Sequence, residues 1–113
     1  MSEFVSYLHE VFASFGPINS KRMFGGHGIY HQGLMFALVA DDALYLKADA
    51  NSRAEFASRG LAAFEFMKQG KPMQMSYFAA PESIFDDPVE AAIWANRGFQ
   101  AAVRAIKPSK RPR

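Results

Sequence analysis

Apolar residues in the first fifteen positions recur at three- and four-residue intervals. The repeating residues are Phe4, Val5, Leu8, Val11, Phe12 and Phe15. This spacing places them on one face of an α-helix. Ser2 suits the N-cap position and Gly16-Pro17 suits the end, because glycine is favoured just after a helix and proline cannot continue one. The chain is therefore predicted to begin with an amphipathic helix.

From residue 18 to residue 48 the pattern changes to short apolar runs separated by turn-forming residues. These runs predict strands over residues 18–24, 27–31, 34–40 and 43–48. The intervening pairs suit tight turns, or a bulge in the first case: Gly25-Gly26, Gln32-Gly33 and Asp41-Asp42. The region is predicted to be an antiparallel meander of three or four strands.

A second helix and a hairpin are predicted to follow the meander. Asp49 or Asn51 is expected to cap a short helix through Arg59, with Gly60 as its C′ residue. Beyond it, the pattern predicts two further strands, over residues 63–67 and 72–78, which turn at residues 69–71.

The last helix has the clearest start signal in the chain. Asp87 suits the N-cap, Pro88 the first helical position and Glu90 the third, an arrangement similar to a capping box. Four apolar residues share one face of this helix, which Trp94 and Phe99 flank: Val89, Ile93, Val103 and Ile106. Residues 107–113 are basic and contain two prolines, and are expected to form a disordered tail.

The order of these elements predicts the fold class α+β. We expect a two-layer sandwich whose antiparallel sheet has its helices on one face, in the order α-β-β-β(-β)-α-β-β-α. With 113 residues the chain is too short for two independent cores, so residues 1–106 are expected to form one domain. The second sheet face carries Tyr and Met side chains that need a cover. A second subunit would provide one, so we predict a homodimer.

Composition excludes several classes of protein. The chain has no cysteine, which rules out disulfides, a thiolate nucleophile and Cys-ligated metals. No apolar run reaches the roughly 20 residues that span a bilayer, and the N-terminus lacks the pattern of a signal peptide. We expect a soluble, cytoplasmic protein with no membrane partner. The net charge of +2 is concentrated in the tail and leaves the body close to neutral.

No catalytic, cofactor or metal site is predicted from the residues. His27 and His31 fall roughly 13 Å apart along a strand, too far for one metal ion, and ordinary packing or surface roles are favoured. The Gly25-Gly26 stretch precedes a strand rather than a helix, which favours turn chemistry over phosphate binding. Arg22 and Lys47 lie inside strands, where a shared patch could grip a carboxylate or another anion. The alternatives are a salt bridge to Glu65 or Asp49, or plain solvent exposure.

Several ordered motifs resemble the N-terminal domain of the TfoX/Sxy competence regulators. They are the runs 22–30 and 44–49, Arg53-x-x-Phe56, Met75-Ser76-Tyr77-Phe78 before Pro81-Glu82, and the closing helix with Trp94. The resemblance covers nearly the whole chain except its tail. It implies the same order of elements and a role in transcriptional control of DNA-uptake genes in bacteria. Longer members carry a second, C-terminal helical domain, so we expect this chain to be a stand-alone copy of the first.

The resemblance brings no catalytic residues, so we expect a non-enzymatic regulatory domain that binds a protein of the transcription machinery. The candidate interaction residues are Arg22, Gly25, Gly26, Tyr30, Tyr45, Lys47 and Tyr77. One alternative is a nucleic-acid-binding protein that uses the strand cations and the basic tail, whose candidate contacts are Lys107, Lys110, Arg111 and Arg113. A solvated, solubilising end is the commoner role of such a tail, so nucleic acid is expected to bind only weakly if at all. A third alternative is a small-molecule-binding or enzymatic domain with a pocket on the aromatic sheet face.

Overall fold

The structure of the protein is a computed structural model that describes residues 3–23 and 25–106. For residues 66–68 and 72–75 it describes the backbone alone. The elements are α1 (Glu3–Val11), β1 (Asn19–Met23), β2 (Gly26–His31), β3 (Leu34–Ala40), β4 (Ala43–Lys47), α2 (Arg53–Ser58), β5 (Ala63–Lys68), β6 (Lys71–Ala79), a 3-10 helix (Glu82–Phe85) and α3 (Pro88–Ala105). Within these residues, no helix has the length and apolar character that crossing a membrane requires.

The six strands form one open antiparallel sheet in the order β1-β2-β3-β4-β6-β5. The first four strands are consecutive neighbours, as expected of a meander. The final hairpin then joins the sheet through β6 rather than β5. This arrangement confirms the predicted α+β sandwich of a sheet and three α-helices, and it makes the meander four-stranded.

The β2–β3, β3–β4 and β5–β6 hairpins each have a two-residue turn in which both residues have positive φ angles. The pairs are Gln32-Gly33 (52° and 81°), Asp41-Asp42 (52° and 57°) and Gln69-Gly70 (53° and 78°). Two successive positive φ angles define the type I′ turn, whose twist matches that of the flanking strands. The predicted turn positions are confirmed, and the Asp41-Asp42 pair serves a hairpin, as its sequence indicated.

The core lies between one face of the sheet and the three helices. The largest fully buried side chains come from both layers: Trp94, Phe12, Phe36, Phe56, Leu8, Ile29, Leu46, Ile84 and Val5. A bulge between β2 and β3 pairs Ile29 with Ala37 but Tyr30 with Met35. The extra residue, Phe36, therefore joins Ala37 in the core. The opposite face of the sheet has no helix against it among the described residues.

The first two helices differ in detail from their predictions. α1 ends at Val11, before the predicted stop at Gly16, and a turn follows in which the amides of Phe15 and Gly16 donate to the carbonyl of Phe12. Ser2 lies outside the described residues. α2 has Ser52 at its N-cap, so the predicted capping by Asp49 or Asn51 is wrong. Gly60 follows α2 with a φ of +70°, which confirms its predicted place.

The start of α3 is confirmed, because the Asp87 carboxylate accepts from the amides of Val89 and Glu90 at 2.9 and 3.4 Å. Glu90 does not complete a capping box, since its Oε1 accepts from Trp94 Nε1 and Ser83 Oγ. The buried face of α3 combines Trp94 with small residues: Ala91, Ala95, Gly98, Ala101 and Ala102. A Cβ on Gly98 would lie 2.7 Å from the carbonyl oxygen of Phe36, so the helix packs unusually close to β3.

Candidate functional site on the open sheet face

The helix-free side of the sheet collects most of the predicted interaction residues. Residues alternate between faces along a strand, and paired residues on neighbouring strands share a face. Leu46 and Ile29 belong to the core, which turns Tyr45, Lys47 and Tyr30 to the other side. We call this side the open face and define it by Lys21, Met23, Tyr30, Met35, Leu38, Tyr45, Lys47, Phe64 and Tyr77.

Two lysines lie over tyrosine rings on the open face. Lys21 Nζ is 5.2 Å from the ring centroid of Tyr30, and Lys47 Nζ is 5.1 Å from that of Tyr77. Both distances suit a cation–π contact, which holds the amine over the ring without neutralising it. Among the described side chains, no carboxylate lies within 4.0 Å of either amine. The open face therefore presents two positive charges that are free to bind acidic groups.

Tyr77 and Leu38 lie beneath the other side chains of this face, with only 5% and 3% of their surface exposed. Burial, together with the nearby Tyr30 hydroxyl, raises the pKa of Tyr77 to about 12. The phenol therefore stays protonated at neutral pH and keeps a hydroxyl that can donate. Tyr45 is half-buried against Phe64, with ring centroids 4.9 Å apart. The face is thus an ordered aromatic layer with basic side chains above it.

The glycines near this face have backbone roles. Gly25 has a φ of +75°, which L side chains rarely adopt. A Cβ on Gly26 would overlap the carbonyl oxygen of Val39 on β3. Gly28 lies under Met23 and Met35, whose sulfurs would each be 3.1 Å from an added Cβ. Gly25 and Gly26 are explained by the β1–β2 connection, and their contact with a partner stays a prediction.

Arg22 does not belong to the open face. It pairs with His27, which shares the helix-side face with Ile29, whereas Lys47 pairs with Tyr77 on the opposite face. A single patch containing both Arg22 and Lys47 is therefore wrong. The second cation of the open face is Lys21, one residue earlier, which strict alternation along β1 would have identified once its register was known.

Asp49 is not the partner of Lys47 either. Its carboxylate accepts two hydrogen bonds from Arg104, from Nε at 2.7 Å and from Nη2 at 3.0 Å. The hydrogen bond from Arg104 holds the pKa of Asp49 below its usual value. Asn51 and Ser52 also donate to this carboxylate. Arg104 therefore ties the end of α3 to the loop before α2, a contact that the sequence reasoning missed because 55 residues separate the two.

His31 packs inside the fold. His31 is buried, with Nδ1 2.7 Å from the carbonyl oxygen of Pro17. Its ring packs between Phe15 and Phe99, at centroid distances of 4.4 and 4.9 Å. In the part of the chain that the structure describes, no three His, Asp or Glu side chains are placed to hold a metal ion together. His31 is thus a packing residue, as favoured from the sequence.

The tail cations Lys107, Lys110, Arg111 and Arg113 lie outside the described residues. Their contact with nucleic acid stays a prediction, as does the boundary between the domain and the tail.

The TfoX N-terminal domain matches residues 10–102, which include every strand of the sheet and most of α3. DNA transformation protein TfoX1 of Aliivibrio fischeri (strain ATCC 700601 / ES114) is 33% identical over 82 residues, covering 69% of this chain and 39% of that protein. Protein Sxy of Escherichia coli (strain K12) is 23% identical over 95 residues, covering 84% of this chain and 46% of that protein. The chain thus spans less than half the length of either relative, and it belongs to the TfoX N-terminal domain family.

Proposed function

We propose that this domain is a non-enzymatic regulatory module of bacterial DNA transformation and that it binds a protein of the transcription machinery through its open face. Family membership and the relative named as a DNA transformation protein support the regulatory role. The observation that carries the binding surface is the layer of tyrosines and lysines on a sheet face that no described helix covers.

The composition of the open face suits recognition of a protein. Aromatic residues are enriched in interface cores because they bury a large area at a small cost in side-chain entropy. Tyr30 and Tyr45 are half-buried and held in place by neighbouring side chains, so they need little ordering when a partner binds. Lys21 and Lys47 have no carboxylate partner among the described side chains, so the partner surface should be acidic and partly apolar.

The regulatory role is tested by deleting the gene in the bacterium that encodes it. We expect transformation frequency and the transcript levels of DNA-uptake genes to fall, and the wild-type gene to restore both. An unchanged transformation frequency in the deletion strain would rule out a role in transformation.

The binding surface is tested by complementing that strain with Lys47→Glu, which reverses one charge of the open face. The matched control is Arg22→Glu, which reverses a charge at an exposed residue on the helix side of the sheet. We expect Lys47→Glu to restore transformation at least about tenfold less well, because charge reversal in an interface weakens binding, and Arg22→Glu to restore it fully. Equal restoration by both variants, at equal protein levels, would rule out the open face as the binding surface.

A second candidate function is binding of single-stranded nucleic acid by the same face. The pairing of Lys21 with Tyr30 and of Lys47 with Tyr77 favours it, because basic side chains beside aromatic rings suit phosphates and stacked bases. Fluorescence anisotropy with a labelled oligonucleotide tests this function. Affinity that falls steeply between low and moderate salt and is lost in Lys47→Glu would support it. The absence of binding at low salt would eliminate it.

A further inference from the structure

The outer face of α3 carries most of the exposed large apolar side chains of the described residues. Val89 is 66% exposed, Ile93 42%, Val103 38% and Ile106, just after the helix, 54%. Tyr7 on α1 is the other such residue in the described part of the chain. The open sheet face contributes none among the side chains described. The predicted apolar face of α3 therefore exists, but it points to solvent, and it is the surface that needs a cover.

The spacing along this face is that of a helix-pairing seam. Val89, Ile93, Asn96, Gln100 and Val103 follow one another at intervals of four, three, four and three residues. This alternation is the 3.5-residue repeat by which one helix packs along another. The two central positions are polar and exposed, and Gln100 Nε2 donates to Asn96 Oδ1 at 3.4 Å. A polar pair within an apolar seam is a known device for specifying register and orientation.

The seam is symmetric about Gly98. Asn96 and Gln100 lie two residues on either side of it, and Ile93 and Val103 lie five residues on either side. When two antiparallel copies meet at this point, Ile93 of each copy packs against Val103 of the other. The Asn96 amide of each copy likewise faces the Gln100 amide of the other, and each amide has both a donor and an acceptor. We propose that α3 forms a homodimer through this outer seam, with the two helices antiparallel about a two-fold axis.

The charges beside the seam fit the antiparallel arrangement. Glu90 and Arg104 lie on the same side of α3, one near each end and two heptads apart. Antiparallel pairing brings Glu90 of one copy near Arg104 of the other, whereas parallel pairing would leave these two charges at opposite ends of the helix pair, about 21 Å apart. Both side chains have atoms available for this ion pair. Arg104 uses only Nε and Nη2 on Asp49, and the two described hydrogen bonds of Glu90 use Oε1. Arg97, between them, is turned inward onto the Trp94 ring and toward Glu55.

The size of the seam sets the strength of the dimer. α3 has 18 residues, which corresponds to a length of about 27 Å. One helix face buries less than the roughly 1,200–2,000 Å² of a stable interface, so we expect a dissociation constant on the order of tens of micromolar. The dimer leaves both open faces uncovered, because α3 lies on the other side of the sheet.

The test is sedimentation velocity of the full chain between about 10 and 500 µM. We expect the wild type to shift from monomer to dimer, and Ile93→Lys and Val103→Glu each to remain monomeric. Tyr7→Glu is the matched control, because Tyr7 is 41% exposed, almost the same as Ile93, but lies off the seam. Circular dichroism and the Tm of each variant check that the fold is retained.

Mixing the two seam variants tests the orientation. In an antiparallel pair the introduced lysine of one copy meets the introduced glutamate of the other, while the second end keeps its natural Ile93–Val103 contact. The mixture should therefore recover the dimer. A wild type that stays monomeric at about 500 µM, or a dimer that Ile93→Lys leaves unchanged, would overturn the proposal. A mixture that stays monomeric would overturn the antiparallel arrangement.

Discussion

The β3–β4 turn is the one described type I′ turn without glycine, and replacing Asp42 should stabilise the protein. The second turn residue is Gly33 or Gly70 in the other two hairpins, with φ angles of 81° and 78°, but Asp42 here, with φ of 57°. A side chain in the left-handed region costs about 1–2 kcal/mol. Glycine removes that cost but returns part of it, about 0.5–1 kcal/mol, through the larger entropy of its unfolded state.

We therefore expect Asp42→Gly to raise the free energy of unfolding by about 0.5–1 kcal/mol, and the Tm by roughly 2–4 °C. Urea unfolding followed by fluorescence provides the assay, because the single tryptophan, Trp94, is 1% exposed and reports on the core. The m-value should stay constant, since the change alters no buried surface.

Two further variants separate backbone strain from charge. Gly33→Asp places aspartate in the equivalent position of the β2–β3 turn and should destabilise the protein by a similar amount. Asp42→Asn removes the same charge as Asp42→Gly but keeps a side chain in the left-handed region. If Asp42→Asn stabilises as much as Asp42→Gly, repulsion between the two aspartates is the cause and the strain argument is wrong. An unchanged urea midpoint for Asp42→Gly would refute both the strain explanation and the charge-repulsion explanation.

Three other substitutions have defined outcomes. Asp87→Ala removes the N-cap of α3 and should lower the free energy of unfolding by about 1 kcal/mol in urea titrations. Asp49→Asn should make the free energy of unfolding less dependent on acid pH. The hydrogen bond from Arg104 holds the pKa of Asp49 below its usual value of 3.8, so the ion pair stabilises the fold above about pH 4 and this contribution is lost as the pH falls further. Tyr77→Phe should reduce the loss of stability between pH 10 and 12. Burial raises the pKa of Tyr77 from 10.0 to about 12, so the wild type loses stability over this range as the unfolded chain, but not the folded one, ionises its phenol.

Each of these has a result that would contradict it. Asp87→Asn keeps a capping oxygen, so a loss equal to that of Asp87→Ala would point away from capping. A urea midpoint of Asp49→Asn that changes with acid pH as steeply as the wild type's would mean that other carboxylates dominate. If absorbance titration finds no tyrosine with a pKa near 12 in the wild type, the burial of Tyr77 is not maintained in solution.

The turns were predictable from sequence because their chemistry is local. The outward orientation of the apolar face of α3 was not predictable in this way. Its Val and Ile residues share one face of the helix, as predicted, yet the face that packs on the sheet is mostly alanine and glycine. The close approach at Gly98, where the Phe36 carbonyl leaves no room for a Cβ, selects small residues for that contact. The size of the apolar side chains therefore does not identify the side of α3 that packs on the sheet.

The open face was predicted in part. Side chains alternate regularly between the two sheet faces along β4 and at the end of β6. This places four of the predicted residues together: Tyr30, Tyr45, Lys47 and Tyr77. Arg22 was misplaced because a shift of one residue moves a side chain to the other sheet face, and glycine-rich sequence around β1 and β2 defines the register weakly.

The insertion of β6 beside β4 affects the order in which the domain folds. The four-stranded meander contains only contacts between consecutive strands, so its loops close at small entropic cost, whereas pairing Lys47 with Tyr77 must close a loop of about thirty residues. We expect the meander to form first, and β5–β6 to dock later and to open first in hydrogen exchange. Tyr77 arrives only with that last step. A partner that requires the complete open face therefore binds only chains in which β5–β6 has docked, and its binding stabilises the last step of folding.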